Sequence, residues 1–259
     1  MDLGINGRKA IICASSQGLG KACALALAKA GVSVVINGRN RGLLEQTATE
    51  IRQLSAMEVT PVVADLLTTD GVDALLAACP APDILINNNG GPPLRDFRDL
   101  DHAALLTGLT MNMLVPIELI KRTVDGMAER GFGRIVNITS SSVKMPSPGL
   151  DLSSGARAGL TAFVAGIART VAASNVTING LLPGYFDTAR LQSGLERTAT
   201  SEGSTTADVA ARSLATIPAR RFGTPAEFGA FCAFLCSAQA GYLTGQNILL
   251  DGGLFPGVF

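Results

Sequence analysis

Apolar residues recur along this chain in two patterns, short unbroken runs and longer stretches with apolar positions three and four apart. The short aliphatic and β-branched runs predict strands buried on both faces. They are Ala10 to Cys13, Val32 to Ile36, Val59 to Ala64, Asp83 to Ile86, Gly133 to Ile138, Val176 to Leu182 and Asn247 to Leu250. Helical spacing fills the intervals. From Leu19 the stripe Cys23, Ala26, Leu27, Ala30 stops at Gly31, placed as a C′ glycine. Leu43 to Leu54 and Val72 to Ala78 are further helices, two helical stretches cover Asp101 to Arg130, and Leu160, Phe163, Val164, Ile167 and Val171 mark a long one. Pro225 after Thr224 opens another as an N1 proline. Strand and helix alternate from end to end, which predicts βαβ units and a parallel α/β sheet of seven strands. No repeat or linker interrupts them, so residues 1–259 are expected to form one domain. Gly91-Pro92-Pro93 reads as a turn. Thr188 to Phe222, rich in Ser, Thr, Ala and Arg, is the least regular stretch and reads as a substrate lid spanning about residues 188–222.

Charge removes some function classes. Lys and Arg total 21 and Asp and Glu total 21, so nothing favours nucleic acid or an anionic membrane as partner. Hydrophobic residues make up 47% and charged ones 16%, a balance that favours extensive burial, subunit interfaces included. No apolar run approaches the length of a membrane span, and MDLGINGRKA lacks the apolar core of a signal peptide, so a soluble cytoplasmic protein is expected. The five cysteines are scattered, odd in number and without a CxxC pair, which predicts core residues rather than disulfides. The single histidine, His102, reads as a surface residue near a helix start, and no Cys/His cluster suggests zinc.

The candidate chemistry gathers where strands end. Ala10 to Gly20, AIICASSQGLG, joins a strand to a helix through a loop with Gly18 and Gly20. Such a loop presents unpaired N–H groups and the positive end of a helix dipole, which suits a pyrophosphate. Other strands run into Asn37-Gly38-Arg39, Asp65-Leu66, Asn87-Asn88-Asn89-Gly90, Thr139-Ser140 and Pro183-Gly184-Tyr185, the ends beside which an open parallel sheet binds ligands. These motifs, in this order over essentially the whole chain, resemble the short-chain dehydrogenase/reductase family, especially its 3-oxoacyl-acyl-carrier-protein reductase type. The family's TGxxxGxG loop corresponds to Cys13 through Ala14, Ser15, Ser16, Gln17, Gly18 and Leu19 to Gly20, its adenine-contacting acid to Asp65, and its NNAG to Asn87, Asn88, Asn89 and Gly90. Its active-site asparagine corresponds to Asn112, its serine to Ser140, and its PG to Pro183 and Gly184. The resemblance implies a single Rossmann-type, doubly wound domain with helices on both sheet faces. It also implies a homotetramer or homodimer, using the helix around Leu160 to Val171 and the tail Leu254 to Phe259.

An NAD site places a carboxylate at the end of the second strand, whereas a 2′-phosphate needs a cation. Here Arg39 stands there, with Arg41 close by, so NADP(H) is favoured over NAD(H). Two positions depart from the family. Ala14 replaces its first glycine, which predicts weakened cofactor affinity, and its YxxxK falls on Ser153 and Arg157. A serine does not ionise usefully near neutral pH and an arginine cannot relay protons. By position, Ser140 and Ser153 become hydrogen-bond donors to a carbonyl, Arg157 a ribose anchor and charge stabiliser, and Asn112 the holder of a water or of backbone geometry. Tyr185 is a candidate replacement proton donor or, equally, a loop residue packing the lid. The expected function is an NADP(H)-dependent oxidoreductase on a small carbonyl or alcohol substrate. The alternatives are an NADP(H)-binding pseudoenzyme and, third, a lyase similar to the halohydrin dehalogenases.

Overall fold

A computed structural model describes residues 2–92 and 94–258. Pro93 of the expected Gly/Pro turn and Phe259 of the expected tail lie outside the described residues. Seven strands form one parallel sheet in the order β3-β2-β1-β4-β5-β6-β7. They are β1 (Lys9–Ile12), β2 (Ser33–Gly38), β3 (Val59–Val63), β4 (Ile84–Asn87), β5 (Gly133–Ile138), β6 (Val176–Pro183) and β7 (Asn247–Leu250). The expected strands match these to within two residues at each end.

Alternate residues of one strand feed different cores. Ala10 and Ile12 pack with α1 (Gly18–Lys29), α2 (Arg41–Leu54) and α9 (Pro225–Leu235), through Leu27, Leu44, Ile51 and Phe228. Ile11 points the other way, to α3 (Thr69–Ala77), α5 (Val115–Glu129) and α6 (Asp151–Val171), through Leu75, Leu119, Leu160 and Val164. With both faces covered, every residue of β5 is buried, Arg134 and Asn137 included. All five cysteines are free and buried, as expected of core residues. His102 is exposed at the first turn of α4 (His102–Leu109), behind the capping Asp101.

The two helical stretches after β4 are one continuous rod, α4 joined to α5 by a π-helical turn at Thr110–Leu114. It is long and apolar enough to cross a bilayer by length and composition alone, yet Val115, Leu119, Ile120 and Met127 bury one face in the core. The long helix α6 begins at Asp151, nine residues before the apolar stripe at Leu160 that announced it, because its first turns bury Ser153, Ser154, Ala156 and Arg157 instead of large apolar groups. The expectation of an irregular 188–222 is corrected: it folds as α7 (Ala189–Glu202) and α8 (Thr206–Thr216). Thr188 and Thr205 cap these helices, and Leu195, Ala199 and Val209 form a small core of their own beneath a polar surface that hid the periodicity.

Arg134 in β5 pins the edge of the sheet opposite the site. Its guanidinium donates to the carbonyls of Ser237 (3.0 Å), Gly133 (2.8 Å) and Asn175 (2.8 Å), and lies over the Phe132 ring. Burial pushes its pKa down, so its charge is held by dipoles alone. Arg134→Met would take one donor from each of those carbonyls, leaving that of Asn175 only the Gly133 N–H, and is expected to lower stability by about 3 kcal/mol in urea unfolding.

Candidate functional site

The strand order reverses between β1 and β4, so the chains leaving their carboxyl ends diverge and open a crevice. Three consecutive asparagines at the end of β4 line it, each tied to a different element. Asn87 Nδ2 donates to Asn137 Oδ1 (2.9 Å) across to β5, Asn88 Nδ2 to the Ala14 carbonyl (3.1 Å), and Asn89 Nδ2 to the Met111 carbonyl in the π turn (2.7 Å). Gly90 has open space where a side chain would be.

On the β1 side, Gly18 has φ +60 and opens α1, whose N-terminus has no side-chain cap and no acid in its first turn. A Cβ on Gly20 would collide with the Ala14 carbonyl and the Asn88 amide, so this helix start can approach the crevice only as glycine. Gln17 is the N-cap in extended conformation, and Leu19 lies in the first turn. Ala14 itself has φ +45, a left-handed conformation that a methyl group disfavours. Ser15 is turned away from the crevice: its N–H donates to the Asn37 carbonyl (2.7 Å) and its hydroxyl to the Ile12 carbonyl (2.8 Å). The Ser16 carbonyl accepts from Thr47 (2.8 Å), anchoring the loop to α2.

The second-strand end presents no carboxylate. Asn37 is buried, with Nδ2 donating to the Val62 and Ala64 carbonyls, both at 3.1 Å, and Gly38 has no side chain. Arg39 is therefore the first side chain to reach outward, and it lies 3.8 Å from Asp65. Asp65 also accepts from the Leu67 N–H (3.1 Å), while Leu66 is buried beside it. At the far end Gly184 is required for a reason internal to the fold, since a Cβ there would sit 2.8 Å from Asp251, beside the Pro183–Leu250 pairing.

Ser153 and Arg157 share one face of α6, one turn apart. Arg157 is buried, and three of its five N–H groups are engaged: Nε with Ser153 Oγ (3.2 Å), Nη1 with the Ile138 carbonyl (2.8 Å) and Nη2 with the Asn89 carbonyl (3.3 Å). No carboxylate among the described residues lies within ion-pair distance of it. Desolvation, and after it the charge of Arg190, push its pKa down to about 10. Ser140 ends β5, its Oγ accepting from the Ser142 N–H (3.1 Å). Asn112 is buried in the π turn, Nδ2 bonded to the Gly108 carbonyl (3.3 Å) and Oδ1 without a protein donor. π turns of this kind recur at functional sites. Tyr185 stands apart, half-exposed beside Phe222 with ring centroids 6.2 Å apart.

Crevice, glycine cradle, Asn112, Ser140, Ser153 and Arg157 thus belong to one end of the sheet. Two contributors escaped the sequence reading: Asn37 as the internal brace of the β2 end, and Arg190, whose Nη1 donates to the Gly91 carbonyl (3.3 Å). The signal for Arg190 was its place just behind the Thr188 cap, hidden while α7 was read as irregular.

Residues 13–255 match the family model described as Enoyl-(Acyl carrier protein) reductase. The chain is 33% identical over 256 residues to acetoacetyl-CoA reductase of Cupriavidus necator, covering 96% of this chain and 99% of that one. It is 32% identical over 251 residues to the NADPH-dependent reductase BacG of Bacillus subtilis, with 95% and 97% covered. L-sorbose reductase from Gluconobacter frateurii, solved in complex with NADPH and L-sorbose, superposes with a TM-score of 0.94 at 27% identity over 100% of both chains.

The left-handed Ala14 makes a signed prediction. Ala14→Gly removes a conformational penalty of about 1–2 kcal/mol but adds unfolded-state entropy of about 0.5–1 kcal/mol. A net gain of about 0–1.5 kcal/mol is expected by urea unfolding, and a loss of stability would contradict the strain.

Proposed function

The chain belongs to the short-chain dehydrogenase/reductase family, and from that footing we propose that it moves hydride between NADP(H) and a small carbonyl or alcohol substrate, with serine and arginine where the family has tyrosine and lysine. The observation that carries this reading is the state of two hydroxyls. Ser140 Oγ accepts from the Ser142 N–H and Ser153 Oγ from Arg157 Nε, so each has an acceptor side engaged and an O–H left to donate. Two such donors at the mouth of a parallel sheet suit a carbonyl oxygen that gains negative charge.

The residues present fit a dinucleotide. An uncapped helix N-terminus without acids, and a cradle that a Cβ at Gly20 would fill, suit a diphosphate held by the backbone of Ser16, Gln17, Gly18, Leu19 and Gly20. Arg39 would take the 2′-phosphate, Asp65 and Leu66 the adenine side, and Asn88, Asn89, Gly90, Pro183 and Gly184 the nicotinamide half. The two N–H groups left on Arg157 would reach ribose hydroxyls. When bound, the nicotinamide supplies or accepts the hydride. The protein's part is to hold the carbonyl against it, which accounts for most of the acceleration in such transfers.

Without an ionisable tyrosine, a factor of about 10²–10⁴ from general acid catalysis is forgone. Arg157 offsets part of this loss: its fixed charge, directly behind Ser153, polarises the hydroxyl that meets the developing alkoxide. Asn112 Oδ1, buried without a protein donor, suits a water in the proton path. Tyr185, packed on Phe222, is better read as part of the segment covering the site than as the donor. Residues 188–222 would form that lid, and self-association would use α6 near Phe163 and the tail at 254–258.

Fluorescence titration with NADPH and NADH, followed by turnover on a carbonyl panel, tests the reading. NADPH is expected to bind more tightly, and Arg39→Ser to weaken it about ten- to a hundredfold while leaving NADH unchanged. Binding without turnover on any carbonyl would favour the pseudoenzyme, and no binding would reject both. The pH profile tests Arg157 separately. Its charged form is the useful one, so kcat should hold from neutral pH to about pH 9 and fall as pH rises through about 10. A decline centred near neutrality would assign the titration to another group.

A further inference from the structure

Cations without carboxylate partners surround the serine side of the crevice. Arg157 is buried against neutral acceptors only. Arg190 donates to the Gly91 carbonyl, and its Nη2 lies 2.7 Å from where a Cβ on Gly91 would stand, a point only 3.6 Å from Ser153 Oγ. The two guanidiniums thus bracket the same serine, and the charge of Arg190 is felt at Arg157. A third arginine, Arg95, lines a shallow cleft with Leu100, Leu150, Leu152 and Ser153. None of Arg95, Arg157 and Arg190 forms an ion pair among the described residues.

Four of the acids close by in sequence have partners of their own, one of them, Asp151, on Gly149 of the cleft wall. Asp151 accepts from the Gly149 N–H (3.1 Å), Asp187 from Gln192 (2.8 Å), Asp96 pairs with Arg98 (3.2 Å), and Asp101 caps α4. Like charges drawn together at a partly desolvated site repel, and an anion between them removes the repulsion. A guanidinium fork matches a carboxylate with two parallel hydrogen bonds. Leu100, Leu150 and Leu152, with Pro92 and Gly149, form the rest of the wall.

We propose that this cleft takes a small oxo acid, its carboxylate held by Arg190 and Arg95, its apolar chain on Leu100, Leu150 and Leu152, and its carbonyl on Ser153. This assignment rests on the carbonyl oxidoreductase reading above. It adds a substrate class, a short anionic carbonyl compound, and gives Arg190 a role in specificity.

The test compares 4-methyl-2-oxopentanoate and acetoacetate with their methyl esters, in NADPH-coupled turnover and by calorimetric titration of the full chain with and without NADP⁺. At least one acid is expected to exceed its ester about ten- to a hundredfold in kcat/KM and in affinity. Arg190→Gln should collapse that ratio through KM with kcat within a few-fold, and Arg190→Lys should restore part of it. Equal acid and ester overturn the proposal. So does an Arg190→Gln variant that loses NADPH affinity and keeps its preference for the acid, which would give Arg190 to the cofactor's diphosphate. If NADPH does not bind at all, the oxidoreductase reading fails, and calorimetry on the cofactor-free chain still decides the carboxylate site: acids no tighter than esters overturn it.

Discussion

The reversal of strand order between β1 and β4 leaves the loops on either side of the crevice without a neighbouring strand to satisfy their backbone groups. Three side-chain amides hold the segment in place, two of them by bonding backbone carbonyls. Asn87, Asn88 and Asn89 tie the end of β4 to β5, to the Ala14 carbonyl and to the π turn. The position of Asn112 follows from the last of these, and that of the glycine cradle from the second. Arg157 depends on the same segment, because the Asn89 carbonyl is one of its three acceptors. The asparagine run thus couples the glycine loop after β1 to the π turn and to Arg157 through one short segment.

The parts of this fold that were plain in the sequence are those whose burial is large and apolar. Strands β5 (GRIVNI) and β7 (NILL) were placed to the residue, each around a short pair or trio of Ile, Val and Leu. Pro225 after Thr224 marked the start of α9, where the structure adds a capping box between Thr224 and Glu227. What stayed hidden was built from small or polar groups. The first turns of α6 bury Ser153, Ser154, Ala156 and Arg157, and no hydrophobic period marks them. The register of the Asn37 side chain depends on carbonyls of β3 and beyond, contacts more than twenty residues away that no local pattern encodes. The sequence motifs fall at strand ends, on the end of the sheet where the crevice opens. They said little about orientation, and Ser15, inside the nucleotide motif yet turned into the fold, shows the difference.

Ala14 and Gly20 show how one loop can satisfy two demands with unequal success. Gly20 is glycine because the Ala14 carbonyl and the Asn88 amide occupy the space a Cβ needs. Ala14 takes the left-handed conformation that the turn imposes and does so with a methyl group. The turn survives because its neighbours fix it, through the bond from Asn88 to the Ala14 carbonyl and those between Ser15 and Asn37. Local strain held by surrounding contacts is a recurrent feature of ligand-binding loops.

The replacement of lysine by arginine at position 157 has a physical logic of its own. The side chain is buried, has no carboxylate partner and feels the charge of Arg190, and these conditions all disfavour a positive charge. An arginine brought down to about 10 remains charged at neutral pH with a wide margin. A lysine starts from a lower ordinary value, about 10.4, and the same desolvation would carry it toward neutrality under working conditions. A lysine here would thus be a group that gains and loses a proton, as suits a partner that ionises. With Ser153 in the tyrosine's place no such partner exists, and a fixed charge that orients a hydroxyl is the function left to fill. On the function proposed above, the two departures from the family pattern are one change: a serine would make a titrating lysine pointless, and the arginine would supply the constant field that an un-ionised hydroxyl requires at neutral pH.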